Sequence, residues 1–131
     1  MTFSFERMVD GGLIIVGLTL DKKNKLRMIL DTGCSNTTID SNALYLAGYE
    51  LKDAVEIVEI ETANGIVESE VFEVNQIKSI GILKSKFKIQ VYDFLAHGIF
   101  SNYDGLLGLD FLEGTKFCID TNLNEITITA K

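Results

Sequence analysis

The residues whose types and order point to chemistry lie in one segment, Met28-Ile29-Leu30-Asp31-Thr32-Gly33-Cys34-Ser35-Asn36-Thr37-Thr38-Ile39. An apolar run ends on a carboxylate, and Thr-Gly follows at once. A strand built from that run delivers Asp31 to the interior end of a sheet. Gly33 lets the backbone turn sharply and bring an N–H close to the carboxylate. Thr32 offers a hydroxyl for a supporting hydrogen bond. A carboxylate held in this way is a candidate general acid or base. The plainer reading is a strand followed by an ordinary Asp-Thr-Gly turn, and the tripeptide alone does not separate the two.

Other chemistries lack their residues. No G-x-x-x-x-G-K-[ST] is present, and Gly105-Leu106-Leu107-Gly108 has neither the basic residue nor the spacing of a phosphate loop. A Ser-His-Asp triad would have to use His97, the single histidine, and no G-x-S-x-G precedes a serine. A Cys34–His97 thiol pair is formally available, but Leu95-Ala96-His97-Gly98 reads as a loop. Two cysteines, Cys34 and Cys118, with one histidine and no C-x-x-C, make neither a disulfide framework nor a zinc site. No metal or organic cofactor is expected.

The elements that must position Asp31 are legible as strands. The chain has 131 residues, the length of one domain spanning 1–131. It has no proline and no linker-like stretch, and Gly and Asn provide the punctuation. Leu13–Leu20 and Lys25–Leu30 read as strands about a polar turn, Asp21-Lys22-Lys23-Asn24. Ser41–Ala47 reads as a short helix capped by Asp40 or Ser41. Val55–Thr62 and Ile66–Val74 alternate apolar residues with glutamates around Ala63-Asn64-Gly65. Asn-Gly is a strong hairpin signal, because both central residues of a type I′ turn take positive φ. Ile77–Ile82 and Phe87–Val91 are further strands. Leu106–Leu112 opens a short helix at Asp110, and Lys116–Asp120 with Glu125–Thr129 forms a closing hairpin. Strands at this spacing indicate an all-β barrel or sandwich.

Charge and hydropathy narrow the partners. Twelve basic against nineteen acidic side chains give a net charge of −7, which disfavours nucleic-acid binding. Lys84, Lys86 and Lys88 read as the wet face of one strand. No apolar run is long enough for a membrane span. Met1–Asp10 lacks the basic and apolar regions of a signal peptide, so the expected address is cytoplasmic.

The Asp31-Thr32-Gly33 segment after its apolar pair resembles the active-site loop of the retropepsin-like aspartic proteases. Two further features continue the resemblance in order. Thr62-Ala63-Asn64-Gly65 stands where that family has the tip of a hairpin flap. Leu106-Leu107-Gly108-Leu109-Asp110-Phe111-Leu112 is similar to the late segment that opens a short helix, and is closest to the cellular, bacterial-type branch. The match runs from about residue 13 to 128.

The resemblance implies an acid-protease closed barrel with one or two short helices. It also implies an aspartic endopeptidase acting on peptide or protein substrates. That chemistry uses two carboxylates, and this chain has one Asp-Thr-Gly; Asp120-Thr121-Asn122 reads as a turn. The implied assembly is a C2 homodimer with one Asp31 from each copy. Asp31 is then the catalytic residue, with Thr32, Gly33 and Cys34 as its support. Cys34 stands where relatives carry Ala or Ser, and a thiol is a weaker donor. Ala63, Asn64 and Gly65 are the substrate-binding flap. Asp110 marks the helix start, read here as an N-cap. Leu13, Val16 and Leu18 line substrate pockets or pack the core, with the core favoured. The flap glutamates Glu56, Glu59, Glu61, Glu68, Glu70 and Glu73 read as its wet face. Met1–Arg7 and Glu125–Lys131 are candidates for the interleaved terminal sheet of viral relatives. The alternative from another class is a catalytically silent barrel kept as a peptide-binding or dimerisation module.

Overall fold

The computed structural model describes residues 1–8, 12–63, 65–94, 96 and 102–130. Its strands are β1 (Thr2–Ser4), β2 (Glu6–Arg7), β3 (Ile14–Leu20), β4 (Asn24–Leu30), β5 (Thr38–Asp40), β6 (Glu56–Thr62), β7 (Gly65–Ser79), β8 (Ile82–Tyr92), β9 (Gly105–Leu107), β10 (Thr115–Asp120) and β11 (Glu125–Ala130). Two short helices, α1 (Ser41–Leu46) and α2 (Leu109–Leu112), interrupt them, with a 3-10 turn at Leu51–Asp53.

The main sheet runs β2-β3-β4-β9-β5-β8-β7-β6, and β7 pairs back onto β3. That last pairing closes six strands, β3, β4, β9, β5, β8 and β7, into a barrel. Its register is Leu18↔Ser79, Thr19↔Lys78 and Leu20↔Ile77. The Ser79 hydroxyl fastens the seam by donating to the Gly17 carbonyl at 2.6 Å. Leu18, Leu20, Met28, Ile39, Val74, Ile77, Ile89 and Leu107 fill the interior. Phe111 of α2 and Ile126 of β11 complete the same core and are fully buried. Burying each such side chain contributes about 1.5–3 kcal/mol.

The β3–β4 turn is Asp21, Lys22 and Lys23, with Leu20 opposite Asn24. Asp21 also clamps its neighbours. Its carboxylate accepts from the Tyr49 hydroxyl at 2.6 Å and from the Gln76 N–H at 3.1 Å. Burial, reinforced by that bond to Asp21, pushes the Tyr49 phenol up to about 12.

Several expectations are corrected. Ile77–Ile82 is not a separate strand. β7 continues to Ser79, turns through Ile80 and Gly81, and returns as β8 with Ser79 opposite Ile82. Ile80 and Gly81 both take positive φ, 43° and 75°. Ile80 is buried, and that burial holds a β-branched residue in a conformation it otherwise avoids. In the hairpin expected to turn at Asn64-Gly65, Thr62 pairs with Gly65, and Gly65 takes a positive φ of 113° at the start of β7. Asn64 itself lies outside the described residues, as do His97 and Leu95.

The termini pair with each other. β1 runs antiparallel to β11 within one chain, giving a second sheet β1-β11-β10. Within one chain, strand β11 therefore has both edges filled, by β1 and β10. The three lysines of β8 do not share a common role as one wet face. Lys86 has a φ of 51°. Lys84 lies over the Phe87 and Phe111 rings at 5.8 and 5.9 Å, and Lys88 pairs with Glu56 at 3.6 Å. Val16 and Leu18 are core, whereas Leu13 is exposed.

β9 has to fit between β4 and β5, and Gly105 is what permits it. A Cβ there would overlap the Thr38 carbonyl and the Met28 methyl. Gly17, by contrast, has nothing within 4 Å of a built Cβ. Gly105→Ala should destabilise the protein by about 3 kcal/mol or fail to fold, and Gly17→Ala should stay within about 0.5 kcal/mol of wild type. Urea unfolding monitored by far-UV circular dichroism checks both. Equal midpoints for the two variants would contradict this account of β9.

Candidate active site

β4 is parallel to β9, with Leu30 opposite Leu107. The chain leaves β4 at Asp31, whose N–H donates to the Leu107 carbonyl at 3.0 Å. Asp31 is thus tied to the end of β9 while its side chain is half-buried. The next turn folds back on it. The Gly33 N–H donates to Asp31 Oδ1 at 3.0 Å, and the Cys34 N–H donates to the Asp31 carbonyl at 3.1 Å. A Cβ on Gly33 would sit 3.3 Å from Asp31 Oδ1, so the small residue keeps this approach uncrowded. Thr32 is exposed, and its hydroxyl has no partner among the described residues.

Cys34 does not support the carboxylate directly. Its thiol donates to the Asn36 carbonyl at 2.9 Å and staples the loop to itself. Burial pushes the Cys34 pKa up, and the nearby Asp31 and Asp110 charges push the same way. A thiol kept protonated is a poor nucleophile, which argues against the cysteine alternative.

A second layer holds the loop from behind. Thr37 is fully buried. Its hydroxyl donates to Asp110 Oδ1 at 2.7 Å and accepts the Gly108 N–H at 3.1 Å. Its N–H donates to both Asp110 oxygens, at 2.9 and 3.0 Å. Asp110 also accepts the Phe111 N–H at 2.8 Å. The Leu109 and Asp110 N–H groups return to the loop, donating to the Cys34 and Ser35 carbonyls at 2.8 and 3.2 Å. Gly108 lies so close that a Cβ would meet the Cys34 carbonyl at 2.7 Å and the Thr37 nitrogen at 3.0 Å.

Asp110 is therefore not the N-cap. Gly108 occupies that position without a side-chain cap bond, and Asp110 stands in the first turn of α2. Its carboxylate gathers donors across two segments because Thr37 is presented directly to it. Sequence reasoning missed Thr37 and the packing role of Gly108. The available signal was a threonine placed just before β5, and a glycine between two leucine-rich halves.

The structure thus brings Asp31, Gly33, Cys34 and Asp110 into one cluster. Ala63 and Gly65 are exposed at the tip of the β6–β7 hairpin, in a separate element. Among the described residues, strand β6 pairs only with β7. One face of this hairpin carries Ile57, Glu59, Glu61, Ile66 and Glu68, all exposed; the other carries the half-buried Val58, Ile60 and Val67. No group of three or more His, Cys, Asp or Glu among the described residues is placed to hold a metal ion. No helix among them is long and apolar enough to cross a membrane.

The closed barrel, the Asp-Thr-Gly loop and the glycine-led α2 define the class: a single-lobed aspartic-protease fold. A family model described as "gag-polyprotein putative aspartyl protease" matches residues 16–114, and the chain belongs to that retropepsin-like family. The chain is also similar to the crystal structure of a retropepsin-like aspartic protease from Rickettsia conorii. That match covers 100% of this chain and 94% of the other, at 23% identity and a TM-score of 0.74, and it speaks to the fold. No curated protein matches the chain.

Two measurements check the loop. Asp110→Ala removes an acceptor of three part-buried donors and should cost about 2–3 kcal/mol. Asp110→Asn keeps Oδ1 for those donors and should cost about half as much. Indistinguishable urea midpoints for Asp110→Ala and wild type would contradict the network. For Cys34, in a Cys118→Ser background at pH 7.5, a disulfide reagent should react at least about tenfold more slowly with folded than with unfolded protein. Equal rates would mean the thiol is neither buried nor held protonated.

Proposed function

We propose that the chain is an aspartic endopeptidase that works as a homodimer, with residues 1–131 forming one protease domain. The observation that carries the reading is the Asp31 loop. One carboxylate oxygen is fixed by the Gly33 N–H, the backbone is tied to β9, and the side chain remains partly open to solvent. The chain supplies one such loop, so the second carboxylate comes from a second copy.

In that arrangement two Asp31 side chains face each other across a two-fold axis. Two full charges about 3 Å apart repel by roughly 5 kcal/mol at an effective dielectric of ~20. Such a pair holds one proton between them, as in aspartic proteases generally. The ionised member takes a proton from a bound water, which attacks the peptide carbonyl. The protonated member polarises that carbonyl and then helps protonate the departing nitrogen. The pair titrates as a unit, so neither copy owns a fixed role.

Thr32 and Gly33 brace the two loops against each other, and the free Thr32 hydroxyl supports that role. Ala63, Asn64 and Gly65 form the flap tip. The half-buried apolar face of Val58, Ile60 and Val67 suits closure over an extended peptide, whose backbone the hairpin can hydrogen-bond. Glu59, Glu61 and Glu68 of the opposite face are exposed and stay wet.

The test is mass-spectrometric sequencing of new termini in a diverse peptide pool between pH 4 and 7. Wild type should produce cleavages, strongest on the acid side of neutrality, and Asp31→Asn should produce none. Cleavage that survives Asp31→Asn would overturn the mechanism. A dimeric wild type that leaves the pool intact would move the reading to a peptide-binding module.

A further inference from the structure

The second copy required by the proposed function has to dock on some part of this surface, and the sheet edges differ sharply in what they offer. β1 has three residues and β2 has two, too few for a stable ladder. The open edge of β6 carries Glu56, Glu59 and Glu61, which would face like charges in a second copy. β10 has six residues, with neither proline nor a bulge, and stands at the free side of β1-β11-β10. Such an edge is a ready template for pairing with another chain.

Its open hydrogen-bonding groups can be assigned. Ile128 donates its N–H to the Met1 carbonyl at 2.8 Å and accepts from the Met1 nitrogen at 3.0 Å. The Ile128 backbone therefore points toward β1, away from β10. Opposed residues in an antiparallel ladder alternate between bonded and non-bonded pairs. Phe117, opposite Ile128, is then a non-bonded partner, and its N–H and C=O point out of the open edge. Those of Thr115 and Ile119 do the same. The side chains alternate too. Lys116, Cys118 and Asp120 are exposed, while Phe117 and Ile119 pack partly against the core.

We propose that two copies pair antiparallel through β10, with Cys118 opposite the partner's Cys118. This inference rests on the homodimer reading above. Charge selects the register. A two-fold axis at Lys116 sets lysine against lysine. An axis at Phe117 sets Lys116 against the partner's Cys118, and one at Ile119 sets Asp120 against it. An axis at Cys118 sets Lys116 against the partner's Asp120, twice by symmetry. It also sets Phe117 against the partner's Ile119, where the outward backbone groups of both strands exchange hydrogen bonds and the two partly buried cores meet. The pairing stands beside the catalytic loop, because Ser35, Leu109, Asp110, Thr115 and Phe117 line one concavity.

Cys118 opposite its copy is a non-bonded pair with Cα atoms about 4.5 Å apart, inside the range of about 4.4–6.8 Å that a disulfide spans. The test is oxidation with diamide, which takes two electrons and two protons from the paired thiols and leaves an S–S bond. Wild type should give a covalent dimer on a non-reducing gel, and Cys118→Ser should not. In sedimentation equilibrium, Lys116→Asp should weaken dimerisation by at least about tenfold. The double variant Lys116→Asp/Asp120→Asn, which removes the Asp–Asp repulsion and keeps the Oδ1 that accepts the Asn122 and Leu123 N–H groups, should recover part of both the association and the cross-link. A dimer that forms no Cys118 link, a link that persists undiminished in Lys116→Asp, or a double variant as weak as the single one would overturn the β10 register and leave the homodimer reading standing. A wild-type monomer at every concentration would overturn both.

Discussion

The grip of Asp110 on Thr37 is the constraint on which the rest of the site depends. The loop from Asp31 to Asn36 is short, half-exposed and made of small residues, so it cannot hold its own shape by packing. Its shape is imposed from behind. Thr37 commits both its N–H and its hydroxyl to one carboxylate, and the same hydroxyl receives the Gly108 N–H. The first turn of α2 closes the circuit by donating to the Cys34 and Ser35 carbonyls. A buried threonine hydroxyl left without partners would cost about 1–3 kcal/mol. Here it has a donor and an acceptor, and the loop and helix are locked in one geometry.

The barrel makes this grip possible by bringing distant segments to one end of the sheet. Residues 31–37 and 107–111 are separated by the helix α1, the β6–β7 hairpin and β8. They meet because β9 inserts between β4 and β5, parallel to one and antiparallel to the other. That insertion needs the missing side chain at Gly105, and the contact just beyond it needs the missing side chain at Gly108. Two glycines of one Gly-Leu-Leu-Gly segment thus act on successive layers of the same junction. The glycines of this segment are places where backbone approaches backbone.

How much of this the sequence announced depends on the kind of interaction. The alternating strands around Asp31 and the C-terminal hairpin were legible because period-two burial is local. Asp31-Thr32-Gly33 was legible as a carboxylate on a tight turn for the same reason. The long β7–β8 hairpin was not, because its turn uses Ile80, a residue whose intrinsic preference opposes positive φ and which tertiary burial overrides. Asp110 read as an N-cap because sequence shows its helix but not Thr37, which lies 73 positions away and supplies the competing donors. Cys34 read as a support for Asp31 because they are neighbours in the chain, yet its thiol donates its hydrogen bond to the Asn36 carbonyl.

The proposed dimer of so acidic a chain has an association problem. Each copy carries a net charge of −7, so two copies repel at long range and the repulsion is screened only by salt. A general apolar patch would not overcome this selectively, since it would accept many partners. A self-complementary edge does better. On β10, Lys116 and Asp120 are one lysine and one aspartate four residues apart on the same exposed face, a locally neutral stretch in an acidic surface. In the symmetric register each finds its opposite, whereas a shift by one residue removes that match. In the proposed dimer, the edge that relieves the repulsion also fixes the orientation. Orientation is what matters chemically, because two Asp31 carboxylates share a proton only when they are set within a few ångströms of each other. Dimerisation and acid–base chemistry would then be two consequences of a single geometric requirement.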